Sequence, residues 1–189
     1  TEVSSNPPPP RAVPGTSAIP RWVLAERLAH WLYALLFITA FVSGLLIWIP
    51  ETRNWMGGVR WTLSRYHAGV GFAMVMLPLL VMLVFDRRRL VRGVQEVGSW
   101  AANDRRWLWA ALRGHTLRGR PMPAQGRLNA GQKASTILVA VMAVGFAATG
   151  AVLLGRAELP AGLVSWAFGL HDFLAVAGVA LLAGHLAHV

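Results

Sequence analysis

Six histidines carry the clearest chemical potential in this 189-residue chain: His30, His67, His115, His171, His185 and His188. All but His115 lie within or at the edge of long apolar blocks, where an ionisable side chain is costly and points to function. His171 and His185 are fourteen residues apart. On a helix that is about 21 Å, ending about 40° short of whole turns, so both imidazoles face one side. His30 opens the first apolar block and His185 lies near the end of the fourth; His67 opens the second and His171 lies near the start of the fourth. Four alternating crossings therefore match the depths in two pairs, His30 with His185 and His67 with His171. Two imidazoles at one depth form a ligand set for six-coordinate haem iron, which suits electron transfer rather than oxygen chemistry. Zinc fits less well, because no carboxylate or cysteine cluster joins either pair. One histidine at a membrane edge would read as an interfacial polar residue, but two matched pairs at two depths are not explained that way. His188, three residues past His185, is an alternative ligand or a participant in proton uptake; the fourteen-residue spacing favours His185. His115 sits in a basic stretch and reads as a surface residue.

The elements that must hold these histidines are transmembrane helices. Apolar blocks run over about 28–49, 66–85, 134–154 and 164–189, each long enough to cross a hydrocarbon core of about 30 Å at 1.5 Å per residue. Pro78 and the internal glycines are compatible with helices in lipid, where backbone groups must be satisfied internally. The expected fold is an all-α integral membrane four-helix bundle over 25–189, preceded by a Pro-rich flexible tail over 1–24. Residues 86–131 read as a polar loop with ten arginines against three acids, whereas 50–65 has three arginines and one acid. By the positive-inside rule the basic loop is cytoplasmic, which places both termini in the cytoplasm. Trp100, Trp107 and Trp109 lie among the arginines; they read as interfacial anchors or as a docking surface for a partner subunit.

Composition narrows the alternatives. Hydrophobic residues make up 55% of the chain and charged residues 14%, and the net charge of +10 follows the loop rather than any nucleic-acid-binding motif. The absence of cysteine excludes disulfides and thiolate ligation of iron within the chain. A transporter with histidine proton relays is disfavoured by the lack of an evident internal repeat and of membrane carboxylates other than Asp172. A haem-free membrane anchor is the remaining reading from another class.

Two glycines fit the haem reading. Gly44 is fourteen residues beyond His30 and would face the outer pair, where a missing side chain admits a porphyrin. Gly178 lies midway between His171 and His185. Ordinary small-residue helix packing explains either glycine as well. Before the third block stands Gly126-Arg127-Leu128-Asn129-Ala130-Gly131-Gln132-Lys133, at the depth of His30 and His185. Asn129, Gln132 and helix-start N–H groups would suit quinone carbonyls; the same stretch would equally serve as a helix cap with Lys133 at the headgroups. Arg27 and Arg65, near the inner and outer histidines, are candidates to neutralise haem propionates.

Glu26-Arg27-Leu28-Ala29-His30-Trp31, the Asn-Ala-Gly-Gln-Lys stretch at 129–133 and the His171/His185 spacing together resemble the cytochrome b (gamma) membrane subunit of respiratory formate dehydrogenases. That subunit belongs to a wider di-haem family that includes nickel–iron hydrogenase and thiosulfate reductase cytochromes. The resemblance covers about 25–189; the tail at 1–20 and the length of the basic stretch before Asn129 depart from its pattern. It implies two haems b, an outer one on His67 and His171 and an inner one on His30 and His185. It implies a menaquinone or ubiquinone site lined by Asn129, Gly131 and Gln132, with His185 nearby. It also implies an iron–sulfur beta subunit, a molybdenum or tungsten catalytic subunit, and residence in the bacterial cytoplasmic (inner) membrane. Within such a complex this chain would be the quinone-reducing subunit rather than the catalyst for the primary substrate; a hydrogenase or another molybdoenzyme is the alternative complex.

Overall fold

The computed structural model describes residues 22–116 and 118–187. The tail at 1–21 and His188 lie outside the described residues. Six helices follow in order: α1 (Leu24–Trp48), α2 (Pro50–Met56), α3 (Val59–Gly98), α4 (Ala102–Leu112), α5 (Ala130–Leu154) and α6 (Ala161–Leu186). Among the described residues there is no strand. Helices α1, α3, α5 and α6 are long and apolar enough to cross a membrane. They form an all-α bundle that turns much of its apolar surface outward: Trp31, Leu35, Ile38, Trp166, Phe173 and Val176 are all exposed. Such a surface suits a lipid solvent, and the small residues buried between helices (Ala25, Ala130, Ala143, Ala167) let backbones approach.

Helix packing is uneven. The backbone of α1 lies along α3, that of α3 along α5, and that of α5 along α6, whereas α6 approaches α1 and α3 mainly through side chains among the described residues. The bundle is thus two helix pairs whose backbones join where α3 meets α5, with the α6 backbone standing off from the first pair and side chains filling the gap.

The helix ends follow local chemistry. Glu26 accepts a hydrogen bond from the Val23 N–H at 3.1 Å, closing the start of α1. Pro50 stops α1 and opens α2 at its first turn, where a missing N–H costs nothing. α5 starts with a reciprocal capping box: the Gln132 N–H donates to Asn129 Oδ1 at 2.8 Å, and the Asn129 N–H donates to Gln132 Oε1 at 3.0 Å.

The largest departure from expectation is at 86–131. The helix expected over 66–85 begins at Val59 and does not stop at Asp86. Asp86 leaves helical geometry (φ −156°, ψ 68°), and its carboxylate then accepts from the Arg89 N–H at 3.0 Å. The residue that breaks the helix thus caps its continuation, which runs on to Gly98. With α4 included, much of the expected polar loop is helical, because a cluster of charges ends a membrane span without ending a helix. The other bounds shift less: α5 starts four residues earlier than expected and α6 three earlier.

This basic region folds back onto one end of the bundle. Arg89 Nε lies 2.9 Å from Glu26 Oε1. Arg127 donates from Nη1 to Glu26 at 3.2 Å and from Nε to Glu96 at 2.7 Å. Lys133 Nζ donates to Asp104 Oδ2 at 3.0 Å and to the Ser99 carbonyl at 2.8 Å. Trp107 of α4 seats against Gly131, where an added Cβ would meet its ring at 2.9 Å.

Candidate haem sites

Each expected histidine pair meets. The rings of His30 and His185 are 6.1 Å apart between centroids with planes at 59°. Those of His67 and His171 are 6.0 Å apart with planes at 70°. The first pair sits at the end of the bundle that carries the basic region, and the second at the end that carries α2. α6 supplies one ring to each.

The spacing is informative. A metal–imidazole bond of about 2 Å on each side, plus roughly 1.1 Å from nitrogen to ring centre, separates two ligating rings by about 6 Å. Both pairs have that separation. Among the described residues no group of three or more His, Cys, Asp or Glu could hold a metal ion. A bare ion at either pair would therefore have two protein ligands, whereas a macrocycle that brings its own four nitrogens needs only two. The donor set fits haem and fits zinc poorly.

The two pairs differ in surroundings. His67 and His171 are half-buried, and His30 and His185 exposed. The His67 Nδ1–H donates to the Ala40 carbonyl at 3.0 Å, with Ser43 Oγ at 3.1 Å. His171 Nδ1 lies 2.8 Å from Thr149 Oγ1, and the Phe146 ring packs edge-on against His171 at 5.2 Å. Both outer rings are thus held through Nδ1, which leaves each Nε2 free for a metal.

Glycines fit between these layers. A Cβ on Gly44 would stand 3.0 Å from His67 Cε1, so glycine lets that imidazole lie close against α1. Gly178 is buried, and a Cβ there would meet Phe37 Cζ at 3.2 Å and Met142 Cε at 3.4 Å. The phenyl ring of Phe37 stacks with Tyr33 at 6.4 Å and 17°.

The remaining candidates are placed as follows. Arg65 lies over the Trp61 ring at 4.8 Å, and the side chain of Arg27 is exposed near the start of α1. Asn129 and Gln132 spend their side-chain oxygens on the α5 cap, while their NH2 groups make no hydrogen bond among the described residues. Gly131 is covered by Trp107. His115 is half-buried rather than fully at the surface. Sequence reasoning passed over Ser43, Thr149 and Phe37, as well as the Glu26–Arg89–Arg127–Glu96 cluster. A lone hydroxyl residue in an apolar span was the available signal for Ser43 and Thr149, and it is weak, since such residues commonly bond their own helix.

Helix-borne imidazoles facing each other inside an apolar bundle define a class of membrane protein built around planar, iron-bearing macrocycles. Residues 21–189 match the model of the family described as prokaryotic cytochrome b561, and the chain belongs to that family. It is similar to the formate dehydrogenase cytochrome b556(fdo) subunit of Escherichia coli K12, at 28% identity over 174 residues, covering 89% of this chain and 77% of that subunit. The counterparts from E. coli O6:H1 and O157:H7 match with the same identity and coverage. The protein is therefore a multi-pass cytochrome b of the bacterial inner membrane, and the family implies haem b.

Proposed function

We propose that this chain is the di-haem subunit of a formate dehydrogenase-type respiratory complex, carrying electrons across the membrane between an iron–sulfur partner subunit and the quinone pool. The observation that carries the reading is the double pairing on α6: two facing imidazole pairs, at 6.1 and 6.0 Å, set fourteen residues apart on one helix. The resemblance to the formate dehydrogenase cytochrome subunits supports that complex over a hydrogenase or another molybdoenzyme.

In this reading His67 and His171 hold the outer haem, and His30 and His185 the inner one. Haem b supplies a one-electron carrier at each position. The four histidines would hold the iron, and the spacing of His171 and His185 along α6 would set the distance between the layers. Arg27 and Arg65 supply cations at the two edges for the propionates. The basic region faces the cytoplasm by the positive-inside rule, so both termini are cytoplasmic and the outer pair faces the iron–sulfur partner and its molybdenum or tungsten catalytic subunit. Menaquinone or ubiquinone binds at the cytoplasmic edge near Asn129, Gly131 and Gln132. The two amide NH2 groups donate to a quinone carbonyl, and Gly131 lets Trp107 close over the start of α5. Charge moving inward through the bilayer is worth about 2.3 kcal/mol per elementary charge per 100 mV.

The test is a reduced-minus-oxidised optical spectrum with haem quantitation on the purified chain, together with identification of its co-purifying subunits. The expected result is b-type bands at two haems per chain and an iron–sulfur protein in the complex. A protein without b-type bands would be a haem-free anchor and would end the proposal.

A further inference from the structure

The described core holds few buried polar side chains, and two of them touch the outer histidines. Ser43 is 4% exposed and Thr149 2%. Each lies within a helix, five residues before its end, and each has its single hydroxyl proton committed. Ser43 Oγ donates back along α1, with the Thr39 carbonyl at 2.8 Å and that of Ala40 at 3.0 Å. Thr149 Oγ1 donates back along α5 to the Gly145 carbonyl at 2.7 Å, with that of Phe146 at 3.2 Å. A hydroxyl whose proton is spent in this way meets an imidazole as an acceptor. The Ala40 carbonyl beside His67 also only accepts. The proton of each outer ring is thereby drawn to Nδ1, leaving the lone pair on each Nε2.

No such arrangement surrounds the inner pair. Among the described residues neither the His30 ring nor the His185 ring has a hydrogen-bond partner. The two pairs share a ring separation but differ in what holds the rings from behind.

We propose that Ser43 and Thr149 are positioning residues that set the orientation and donor strength of the outer pair and hold the outer haem at a lower potential than it would otherwise have. This rests on the two-haem reading above. An imidazole that donates its Nδ1–H becomes a more basic ligand through Nε2, and a more basic ligand favours ferric over ferrous iron. Ligand hydrogen bonding is one of the protein's means of tuning haem potential. At the outer pair both histidines have such an acceptor, so a low outer potential would direct electrons toward the inner pair. The same hydroxyls fix the angle of 70° between the outer rings, on which the ferric low-spin electron paramagnetic resonance signal depends.

The experiment uses the haem-loaded cytochrome, purified as the wild type and as the Thr149→Val, Thr149→Ser and Ser43→Ala variants. Haem content, stepwise reduction followed optically, and the ferric paramagnetic resonance spectrum are measured on each. Thr149→Val should keep two haems and raise the midpoint of one by the equivalent of about tenfold in its ferrous-to-ferric ratio, or 59 mV for one electron, and Ser43→Ala, which leaves the Ala40 carbonyl on His67 Nδ1, should raise it by less. The same haem's resonance signal should move while the other stays, and Thr149→Ser should restore both properties. If Thr149→Val loses haem, Ser43→Ala carries the test alone, with a smaller rise in the same haem's midpoint and a shift of its resonance signal expected. Two haems with unmoved midpoints and spectra in the variants would overturn the role of the hydroxyls and leave the two-haem reading standing. A wild type with a single haem would overturn the two-haem reading itself.

Discussion

Phe37 of α1 lies over Gly178 of α6, so close that a Cβ on the glycine would meet the Cζ of the ring at 3.2 Å. Phe37 is seven residues past His30 and seven before Gly44, and Gly178 is seven residues from both His171 and His185. The contact therefore sits about 10 Å along the helix from each histidine layer. It is a septum between the two layers, and Met142 of α5 packs against it from the side.

Enlarging Gly178 should damage this septum more than the membrane insertion of the chain. Gly178→Val forces Phe37 and Met142 to move, and overpacking of this kind typically costs about 1–3 kcal/mol. A lower midpoint of thermal haem release, at normal protein levels in the membrane, is the expected outcome.

The pairing of the histidines can be tested by halves. His67→Ala and His171→Ala should each bind one haem per chain in place of two, and should leave the same inner spectrum behind. Quantitation of extracted haem measures this. Two haems in either variant would refute the pairing.

The two readings of Asn129 separate cleanly by substitution. Asn129→Asp keeps the oxygen that accepts from the Gln132 N–H and removes the NH2 group, so α5 should stay as stable as before while quinone reduction slows. Asn129→Ala loses the cap as well, at a cost of about 0.5–2 kcal/mol. Quinone turnover in membranes, measured beside thermal stability, distinguishes a ligand for quinone from a cap alone.

The contact of α4 with α5 should be acid-labile. The Ala101 N–H, at 2.8 Å, and then Lys133 hold the Asp104 carboxyl below the usual carboxylate range. A depressed value favours the folded form above the unperturbed carboxylate value of about 3.9. That contribution is lost as pH falls through the lower, folded value. Protection of the α4 amides, taken relative to the intrinsic exchange rate at each pH, should fall at acid pH in the wild type, and Asp104→Asn should flatten that pH dependence.

The histidine pairing was legible because it is local arithmetic: the position of each residue within an apolar block gives its depth, and spacing along one helix gives its direction. The course of 86–98 was not. Asp86 and the arginines after it signal the end of a membrane span, and the same residues are good helix material once outside it. The partners of Ser43 and Thr149 were hidden for a different reason. They lie 24 residues from His67 and 22 from His171, and no periodicity links a hydroxyl to an imidazole on another helix. The meeting of Arg127 with Glu26, 101 residues apart, depends on how the basic region folds back, which charge patterning alone does not encode. At Asn129, both the cap and the free amide were visible, and the structure adds how the two ends of that side chain are divided.

The stand-off of α6 from α1 and α3 bears on how the protein is made. The first helix pair and the second can thread into the bilayer one after the other, their backbones then meeting most closely where α3 touches α5. Across the rest of the seam α6 is tied to the first pair by side chains, Phe37 over Gly178 and the two facing histidine pairs. If haem b fills both histidine pairs as proposed, it would serve as a rivet as well as a wire, and cells starved of haem should accumulate less finished cytochrome.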